Sequence, residues 1–383
     1  MRFKAHITRF IISLSLLLIP AFGFSREDDD NAIRDSAKSI APTVPVEEKE
    51  AGFDPGEMIM EHVADNHEWH VVGHFAIPLP IITKTDKGWE VFSSSNFINE
   101  ETHQPKSYTG ANYTYALKEG KVVVWDEMLG VENENATATI FDMSITKNVV
   151  TLFVVVLILM LVFITVAKSY TRRPGLAPKG LQSFVEPLII FIRDDIAKAS
   201  IGPKYEKFMP YLLTVFFFIL ISNLLGLIPV FPGGANFSGN IAITACLAVL
   251  TFIITNINGN GNYWRHIFAM PGVPVGVLVL LTPIEILGMF LRPFVLMIRL
   301  FANITAGHII ALAFYSLIFI FAKNGEQVGA GLGVSVVSVA FTVFMMFMEL
   351  LVAFLQAYVF CLLSAIYFGS AVEEHHHVAE NFD

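Results

Sequence analysis

An apolar segment from residue 274 to residue 322 contains the sequence Leu291-Arg292-Pro293-Phe294-Val295-Leu296-Met297-Ile298-Arg299-Leu300-Phe301-Ala302-Asn303. Arg299 lies near the middle of this segment, and its guanidinium stays charged at any biological pH. A cation near the centre of a bilayer costs about 2.5–3.5 kcal/mol or more. Such a charge is retained where it faces a cavity, a partner or a moving ion. Arg299 is therefore the first candidate for a functional residue.

The composition of the whole chain is typical of a membrane protein. Hydrophobic residues make up 54% of the 383 residues, and charged residues make up 15%. Soluble domains carry roughly 25% charged residues. The net charge of −9 gives no indication of nucleic-acid binding. Cys246 and Cys361 both lie in apolar runs, so we expect two buried thiols and no disulfide framework.

Residues 1–24 predict a signal peptide. Arg2, Lys4 and Arg9 precede a short apolar stretch, and the small residues of Ala21-Phe22-Gly23 offer a cleavage site. An uncleaved anchor is the alternative, although about 15 apolar residues are short for a membrane span. Residues 25–50 are acidic and predict a solvated linker, which cleavage would leave outside the cytoplasm.

Residues 51–140 predict a small extracytoplasmic domain that contains β-strands. Apolar and polar residues alternate at 69–75 and 121–125, and turn residues occur at 85–88 and 118–121. Four histidines lie in or before the first of these strands, but their spacing fits no standard zinc motif and we predict no metal site. These histidines are His62, His67, His70 and His74.

Residues 141–372 predict a membrane domain with five spans. The first span, near residues 146–168, is followed by a cluster of basic residues, and the positive-inside rule places this end in the cytoplasm. The basic residues are Lys168, Arg172, Arg173 and Lys179. Residues 181–200 are amphipathic and predict a helix at the cytoplasmic interface. Further spans are expected near residues 209–231, 240–257, 274–322 and 333–370.

The last two apolar segments are far longer than the hydrocarbon core of about 30 Å requires. They must be broken, kinked or tilted, and Pro283 and Pro293 are the candidate kinks. The predicted fold is an all-α polytopic membrane protein with five transmembrane helices, one interfacial amphipathic helix and two long, tilted final helices. It follows a small extracytoplasmic β-containing domain and ends in a cytoplasmic tail, residues 373–383.

A polar stripe follows one face of the helix that carries Arg299. At about 100° per residue, Glu285, Arg292 and Asn303 fall within about 40° of Arg299. His308 is about 180° away and faces the opposite side of the helix. The segment is therefore expected to offer two distinct polar surfaces.

The last predicted helix carries Glu349 and Gln356 on one face. Antiparallel packing of the two long helices would bring His308 beside Glu349 and Arg299 beside Gln356. A histidine near a carboxylate can titrate close to physiological pH, so the first pair suits a proton relay. A structural ion pair within the chain is the alternative reading of Arg299, and Gln356 and Asn303 could equally serve as hydrogen-bonding residues between helices.

Three groups of motifs together resemble subunit a of the rotary F-type ATP synthase. The first is Arg292-Pro293, Arg299-Leu300-Phe301-Ala302-Asn303 and Ala306-Gly307-His308; the second is Leu355-Gln356-Ala357-Tyr358-Val359-Phe360, Tyr367 and Glu373-Glu374-His375; the third is Ser222-Asn223-Leu224-Leu225-Gly226-Leu227-Ile228-Pro229. The resemblance covers residues 145–376 in the order of that family. The N-terminal extension at residues 26–140 is longer than that of many members.

The resemblance implies a membrane stator that faces the rotating ring of c subunits and supplies two offset half-channels for protons. The family's essential arginine corresponds to Arg299, and the titratable pair of its inlet half-channel corresponds to His308 and Glu349. Other polar positions of the family's proton pathway correspond to Asn303, Gln356, Glu285, Asn223 and Asn240. Gly226 occupies a position that is acidic in some members.

The resemblance also implies the partners and the location of the chain. Its partners would be the c-subunit ring, b-type peripheral stalk subunits, the other ATP synthase subunits and the lipid bilayer. It would need no cofactor and no metal, and it would lie in the bacterial inner membrane with its mature N-terminus outside and its C-terminus in the cytoplasm. We expect no catalytic residues, since the chain contains no G-x-x-x-x-G-K-[ST] loop for phosphoryl chemistry.

Two other functions compete with this one. A stand-alone ion-coupled secondary transporter would also carry charged residues at mid-membrane, but such transporters often contain inverted repeats, and we find none in the sequence. A binding protein that is only anchored by its spans would leave Arg299, His308 and Glu349 without a role.

Overall fold

The computed structural model describes residue 56 and residues 65–72, 75–98, 106–118, 120–127, 130–228, 237–270, 273–322 and 327–373. The predicted signal peptide and acidic linker lie outside the described residues, as do His62, His74 and residues 374–383 of the predicted tail.

Before the first membrane helix, the described residues form a β domain of short antiparallel strands. The strands are β1 (Glu68–Val72), β2 (Phe75–Pro78), β3 (Pro80–Thr85), β4 (Gly88–Ser93), β5 (Tyr108–Thr109), β6 (Thr114–Lys118), β7 (Lys121–Asp126), β8 (Val131–Glu132) and β9 (Phe141–Asp142). β1 pairs with β2, a second sheet has the order β4-β3-β9, and a third has the order β5-β6-β7-β8. A short helix, α1 (Glu134–Thr137), precedes β9.

The strand predicted for residues 121–125 is confirmed as β7, whereas the strand predicted for residues 69–75 is wrong in extent. The chain reverses there, so that β1 ends at Val72, β2 begins at Phe75, and Val72 pairs with Phe75. Alternation of apolar and polar residues continues through such a reversal, so the pattern alone predicts one longer strand. The predicted turn at residues 85–88 does connect β3 to β4, where Gly88 has a φ of 132°.

An aromatic cluster fills the interior of the β domain. The Phe92 ring lies 5.2 Å from Tyr115 and 5.7 Å from Phe97, centroid to centroid. The buried side chains of Ile81 and Val124 pack against these rings. The domain therefore has a hydrophobic core of its own, to which β4 contributes one face.

Within residues 147–373, the described residues form seven helices besides the shorter helical segments named below. They are α2 (Lys147–Arg172), α3 (Leu181–Phe191), α4 (Tyr205–Gly226), α5 (Ile241–Ile257), α6 (Gly261–Phe268), α7 (Val275–Ala322) and α8 (Val328–Val372). The α3 helix continues through a π-helical segment (Ile192–Lys198) and one further turn (Ala199–Ile201). Gly202, with a φ of 72°, ends this segment before α4.

By length and composition, the described residues contain four candidate membrane spans, or five when the bent pair of α5 and α6 counts as one. One of these candidates extends from α3 through α4, so the structure leaves the interfacial position predicted for residues 181–200 as a prediction. The predicted number of five spans equals the upper value. The chain is thus a multi-pass membrane protein with mostly helical structure.

α4 is the central helix of the membrane part. In its most apolar stretch 78% of the residues are buried, whereas the corresponding values for α7 and α8 are 6% and 11%. α7 and α8 pack against each other, and α8 also packs against α4. One side of the α7–α8 pair therefore carries an extended apolar surface that no described residue covers.

The two long helices are continuous. α7 passes through both Pro283 and Pro293 without ending, and its 48 residues give a length of roughly 70 Å. The C-terminal end of α8 packs closely against the turn that follows the π-helical segment, since a Cβ at Gly369 would collide with the Ser200 carbonyl oxygen. Cys361 is buried as predicted, but Cys246 is only half-buried, and both are free thiols.

Candidate functional site

A cavity of about 60 Å³ lies between α4, α7 and α8. Its polar lining consists of Asn223 from α4, Asn303 and His308 from α7, and Glu349 from α8. Leucine, methionine and aliphatic side chains form the remainder of its wall. A water molecule needs roughly 10–15 Å³ of such space, so this cavity can hold several. Four of the eight predicted site residues thus meet at one place.

α7 and α8 lie close together beside Glu349. A Cβ built at Gly307 would lie 3.0 Å from Glu349 Oε1 and 3.2 Å from Glu349 Cγ. Glu349 Oε1 is buried and has no hydrogen-bond partner among the described residues. A buried acceptor without a partner costs about 1–3 kcal/mol, so this oxygen favours a state in which a donor such as water hydrogen-bonds to it. The absence of a side chain at residue 307 leaves the space for such a state.

Asn223 is held on both sides by hydrogen bonds. Its Nδ2 donates to the carbonyl oxygen of Ala353 at 3.3 Å, and its Oδ1 accepts from Ser238 Oγ at 2.5 Å. These bonds connect α4 to α8 and to the turn before α5. The sequence analysis missed Ser238, although a hydroxyl two residues before Asn240 in a polar connection was an available signal.

Asn240 lies at the start of α5. Its Oδ1 accepts a hydrogen bond from the Ala242 N–H at 2.9 Å and so caps the first turn of α5. It is not one of the residues that line the cavity. The local sequence explains this, because Asn is among the favoured residues at a helix N-cap.

The prediction of two separate polar surfaces on α7 is wrong where it concerns Asn303. Asn303 and His308 both line the same cavity, together with Ile304 and Gly307. These four residues share one broad face of the helix, with Asn303 at one edge and His308 at the other. Gly307 lies near the centre of this face and has no side chain, so both polar side chains reach the cavity. Arg299, in contrast, does not line it.

Arg299 is exposed on the α7–α8 surface. Its neighbours Leu296 and Leu300 point into the hydrophobic core, which leaves the guanidinium outside it. No ion pair or hydrogen bond joins Arg299 to a described residue, so the alternative of a structural pair with Glu285 or Glu349 is not realised there. Gln356 is buried on α8 and does not line the cavity.

A second polar position lies nearer the start of α7. The Arg292 guanidinium lies over the Tyr367 ring, with Cζ 5.6 Å from the ring centroid. It lines a small cavity of about 10 Å³ with Tyr263 and Thr251, and its Nη1 is buried without a hydrogen-bond partner among the described residues. Glu285 is half-buried one helical repeat earlier and lines neither cavity. The sequence analysis placed Arg292 on the polar stripe but could not identify its contact with Tyr367 on α8, because the two residues are distant in sequence.

Comparisons with known proteins agree with the motifs of the membrane part. The family profile described as "ATP synthase A chain" matches residues 149–369. A separate profile, described only as a domain of unknown function, matches residues 58–143.

Several curated relatives are similar over the same region. The chain is 47% identical over 244 residues to an ATP synthase subunit a of Chlorobium phaeobacteroides, which covers 61% of this chain and 68% of that protein. It is 42% identical over 243 residues to that of Chloroherpeton thalassium, covering 62% and 69%. It is 36% identical over 343 residues to that of an Anaeromyxobacter species, covering 87% and 75%. The chain therefore belongs to the ATP synthase subunit a family.

Proposed function

We propose that this chain is the proton-conducting stator of an F-type ATP synthase, in which Arg299 separates two half-channels and engages the carboxylates of the c-subunit ring. Membership of the subunit a family supports the stator role. It favours this role over the two alternative functions, a stand-alone transporter and an anchored binding protein. The phosphoryl chemistry then belongs to other subunits, and this chain contributes no catalytic residue.

The observation that carries the proposal is the position of Arg299 on an uncovered apolar surface. Its charge has no ionic partner among the described residues, and the apolar side chains of Phe294, Val295 and Ile298 beside it are exposed. A charge in this position requires a partner with an acidic group at the same depth. A ring of helices, each with a membrane carboxylate, meets this requirement and covers the apolar surface.

The cavity beside Glu349 supports an inlet half-channel. His308 and Glu349 are the titratable members of its lining, and Asn223 and Asn303 supply hydrogen-bonding groups for water between them. A proton could pass from water to the His308–Glu349 pair and then to a ring carboxylate near Arg299. The fixed cation would repel hydronium and so prevent direct passage to the other side.

The cytoplasmic half-channel would begin near Glu285, on the other side of Arg299 along α7. Gln356 and Asn303 would lie next to the path of the ring carboxylate. Asn240 would hold the connection before α5 in place, because it caps the first turn of that helix. The basic residues at and after the C-terminal end of α2 favour a cytoplasmic position for that end by the positive-inside rule. The β domain and mature N-terminus are then extracytoplasmic, the C-terminus is cytoplasmic, and b-type stalk subunits are the expected stationary partners.

ATP-driven acidification of inverted membrane vesicles tests this proposal. We expect Arg299→Ala to abolish pumping in an assembled complex and to increase passive proton leak, while Arg265→Ala, which removes another exposed arginine, leaves pumping unchanged. Co-purification of the ring with each variant establishes assembly. Normal pumping by an assembled Arg299→Ala complex would overturn the proposal.

The relay has its own test in the same vesicles. We expect His308→Ala and Glu349→Gln each to reduce pumping at least tenfold, since each removes a titratable group from the cavity. The exchange variant, His308→Glu with Glu349→His, keeps both groups and should recover part of the rate. Equal loss in the exchange variant and the single variants would contradict a relay that needs only the pair.

A further inference from the structure

One face of the sheet β4-β3-β9 is apolar although it is exposed. Trp89, Val91 and Phe141 have exposed fractions of 58%, 65% and 51%. Lys84 pairs with Trp89 on one side and with Phe141 on the other, so the two aromatic rings flank it across the sheet. Antiparallel sheets that face water on one side normally carry polar residues there. This face, called the aromatic face below, therefore requires an apolar neighbour.

The aromatic face is the outer side of a sheet whose inner side is already filled. Ile81, Thr83 and Phe92 are buried and point toward the domain core. Trp89, Phe141 and Met143 line an open groove of about 660 Å³ on the outer side. The face is thus a surface for a partner outside the domain.

The sheet is fixed to the start of the first membrane helix. The Met143 N–H donates to the Ile82 carbonyl oxygen at 2.9 Å, and the Ile145 N–H donates to that of Pro80 at 3.1 Å. The Lys147 N–H, at the first residue of α2, donates to the Asn66 carbonyl oxygen at 3.1 Å. Only residues 143–146 separate β9 from α2, a distance of at most about 15–20 Å along the chain. The aromatic face therefore stays near the bilayer surface that α2 enters.

We propose that the aromatic face lies on the lipid headgroup layer at this surface. Tryptophan and tyrosine concentrate at such interfaces because an apolar ring with a polar edge suits the boundary, and lysine extends its ammonium toward phosphate. Trp89 and Lys84 supply this combination, with Lys84 Nζ 5.5 Å from the Trp89 ring centroid. The headgroup layer is roughly 5–8 Å thick on each side of the hydrocarbon core, which is within reach of the short connection. The inference does not depend on the proposed proton pathway.

A fluorescent probe on the aromatic face tests the inference in the full chain reconstituted in nanodiscs. Val91→Cys carries the environment-sensitive fluorophore NBD, and Val131→Cys, on β8 of another sheet and 53% exposed, is the matched control. The wild-type chain, with its free cysteines Cys246 and Cys361, gives the background labelling. The nanodiscs contain phosphatidylcholine and phosphatidylglycerol, some of which carries a spin-label quencher near the headgroup.

We expect the probe at residue 91 to be blue-shifted and quenched at least threefold more strongly than the probe at residue 131. Adding Lys84→Glu should weaken this quenching in nanodiscs that contain phosphatidylglycerol. Equal quenching at both positions would overturn the inference. Protection of residue 91 that arises only after assembly with the other synthase subunits would also overturn it, because the aromatic face would then bind protein rather than lipid.

Discussion

The carboxylate of Asp65 accepts a hydrogen bond from Thr146 Oγ1 at 2.9 Å, across 81 residues of sequence. Its second oxygen accepts from the Asn148 N–H at 3.2 Å, in the first turn of α2. Thr146 occupies the N-cap position of this helix but makes no side-chain cap bond of its own. The β domain therefore supplies the acceptor that the helix N-terminus requires.

Removal of this carboxylate should loosen the β domain from α2. We expect Asp65→Ala to lower the free energy of unfolding by about 1–3 kcal/mol, since it leaves two partly buried donors without an acceptor. Asp195→Ala removes an exposed aspartate and is the control. The measurement is thermal unfolding of the chain in nanodiscs, with limited proteolysis between the β domain and α2. Identical melting and cleavage in the two variants would show that the cap contributes nothing.

The buried imidazole of His67 predicts a pH dependence of stability. Its Nε2 lies 4.0 Å from Asp142 Oδ2. Burial lowers the pKa of His67 below its usual value near 6.5, although Asp142 and Asp65 act in the opposite direction. A histidine whose pKa is depressed in the folded state stabilises the fold above the unfolded-state pKa, and this contribution is lost as the pH falls below it. Acidification from about pH 7.5 to about pH 5.5 should therefore destabilise the β domain.

Comparison of the wild-type chain with His67→Gln isolates this effect. Burial also raises the pKa of Asp65, so Asp65 contributes stability at low pH that is lost as the pH rises through its folded-state pKa. Asp65 is present in both proteins and acts against the histidine. We expect the melting temperature, followed by the fluorescence of buried Trp69, to fall more on acidification in the wild type than in His67→Gln. A steeper fall in the variant would reverse the sign assigned to His67.

Gly307 should be necessary for proton flow through the cavity. In Gly307→Ala the new Cβ would lie 3.0 Å from Glu349 Oε1, so the carboxyl group must move and the cavity must shrink. We expect several-fold slower pumping in vesicles with normal assembly. Gly288→Ala on the same helix meets no atom within 4 Å and is the matched control. If both variants pump at the wild-type rate, the Glu349 side chain tolerates displacement and the cavity is not on the proton path.

Gly369 should be necessary for the packing of the C-terminal end of α8. A Cβ there would collide with the backbone carbonyl of Ser200, which cannot move as freely as a side chain. We expect Gly369→Ala to lower the melting temperature and the yield of folded protein, because the new methyl group would push α8 away from the turn that contains Ser200. Gly329→Ala, on the same helix with no atom within 4 Å, should be neutral or slightly stabilising because alanine favours helix. Equal yields and melting temperatures would contradict the close contact.

The helices of the membrane part could be predicted because a long apolar run in a bilayer has few alternatives to helix. Their ends were less predictable. The span expected near residues 209–231 is a helix that begins at Tyr205. Its first turn is polar and carries Glu206 and Lys207, so the apolar run did not include it. Apolar length also could not reveal that α7 remains one helix through Pro283 and Pro293, because neighbouring groups can satisfy the bonds that proline removes.

The candidate site was predictable where spacing along a helix determines it. His308 and Glu349 were expected together from the antiparallel arrangement of the last two helices, and both line one cavity. Contacts between distant elements were not predictable from spacing. The bond between Ser238 and Asn223 and the contact between Arg292 and Tyr367 depend on how α4, α6, α7 and α8 pack. The capping role of Asn240 could have been predicted from the local sequence, because asparagine is favoured at helix N-caps.

The exposed guanidinium of Arg299 has a consequence for the life of the chain before assembly. A subunit inserted alone exposes this cation to lipid, at a cost of about 2.5–3.5 kcal/mol or more. A protein that binds only the inserted form recovers this free energy and stabilises it by mass action. We therefore expect the cellular half-life of the chain to shorten when its acidic partner is withheld. The same charge that we propose engages the ring would then act as a signal for the removal of orphan subunits.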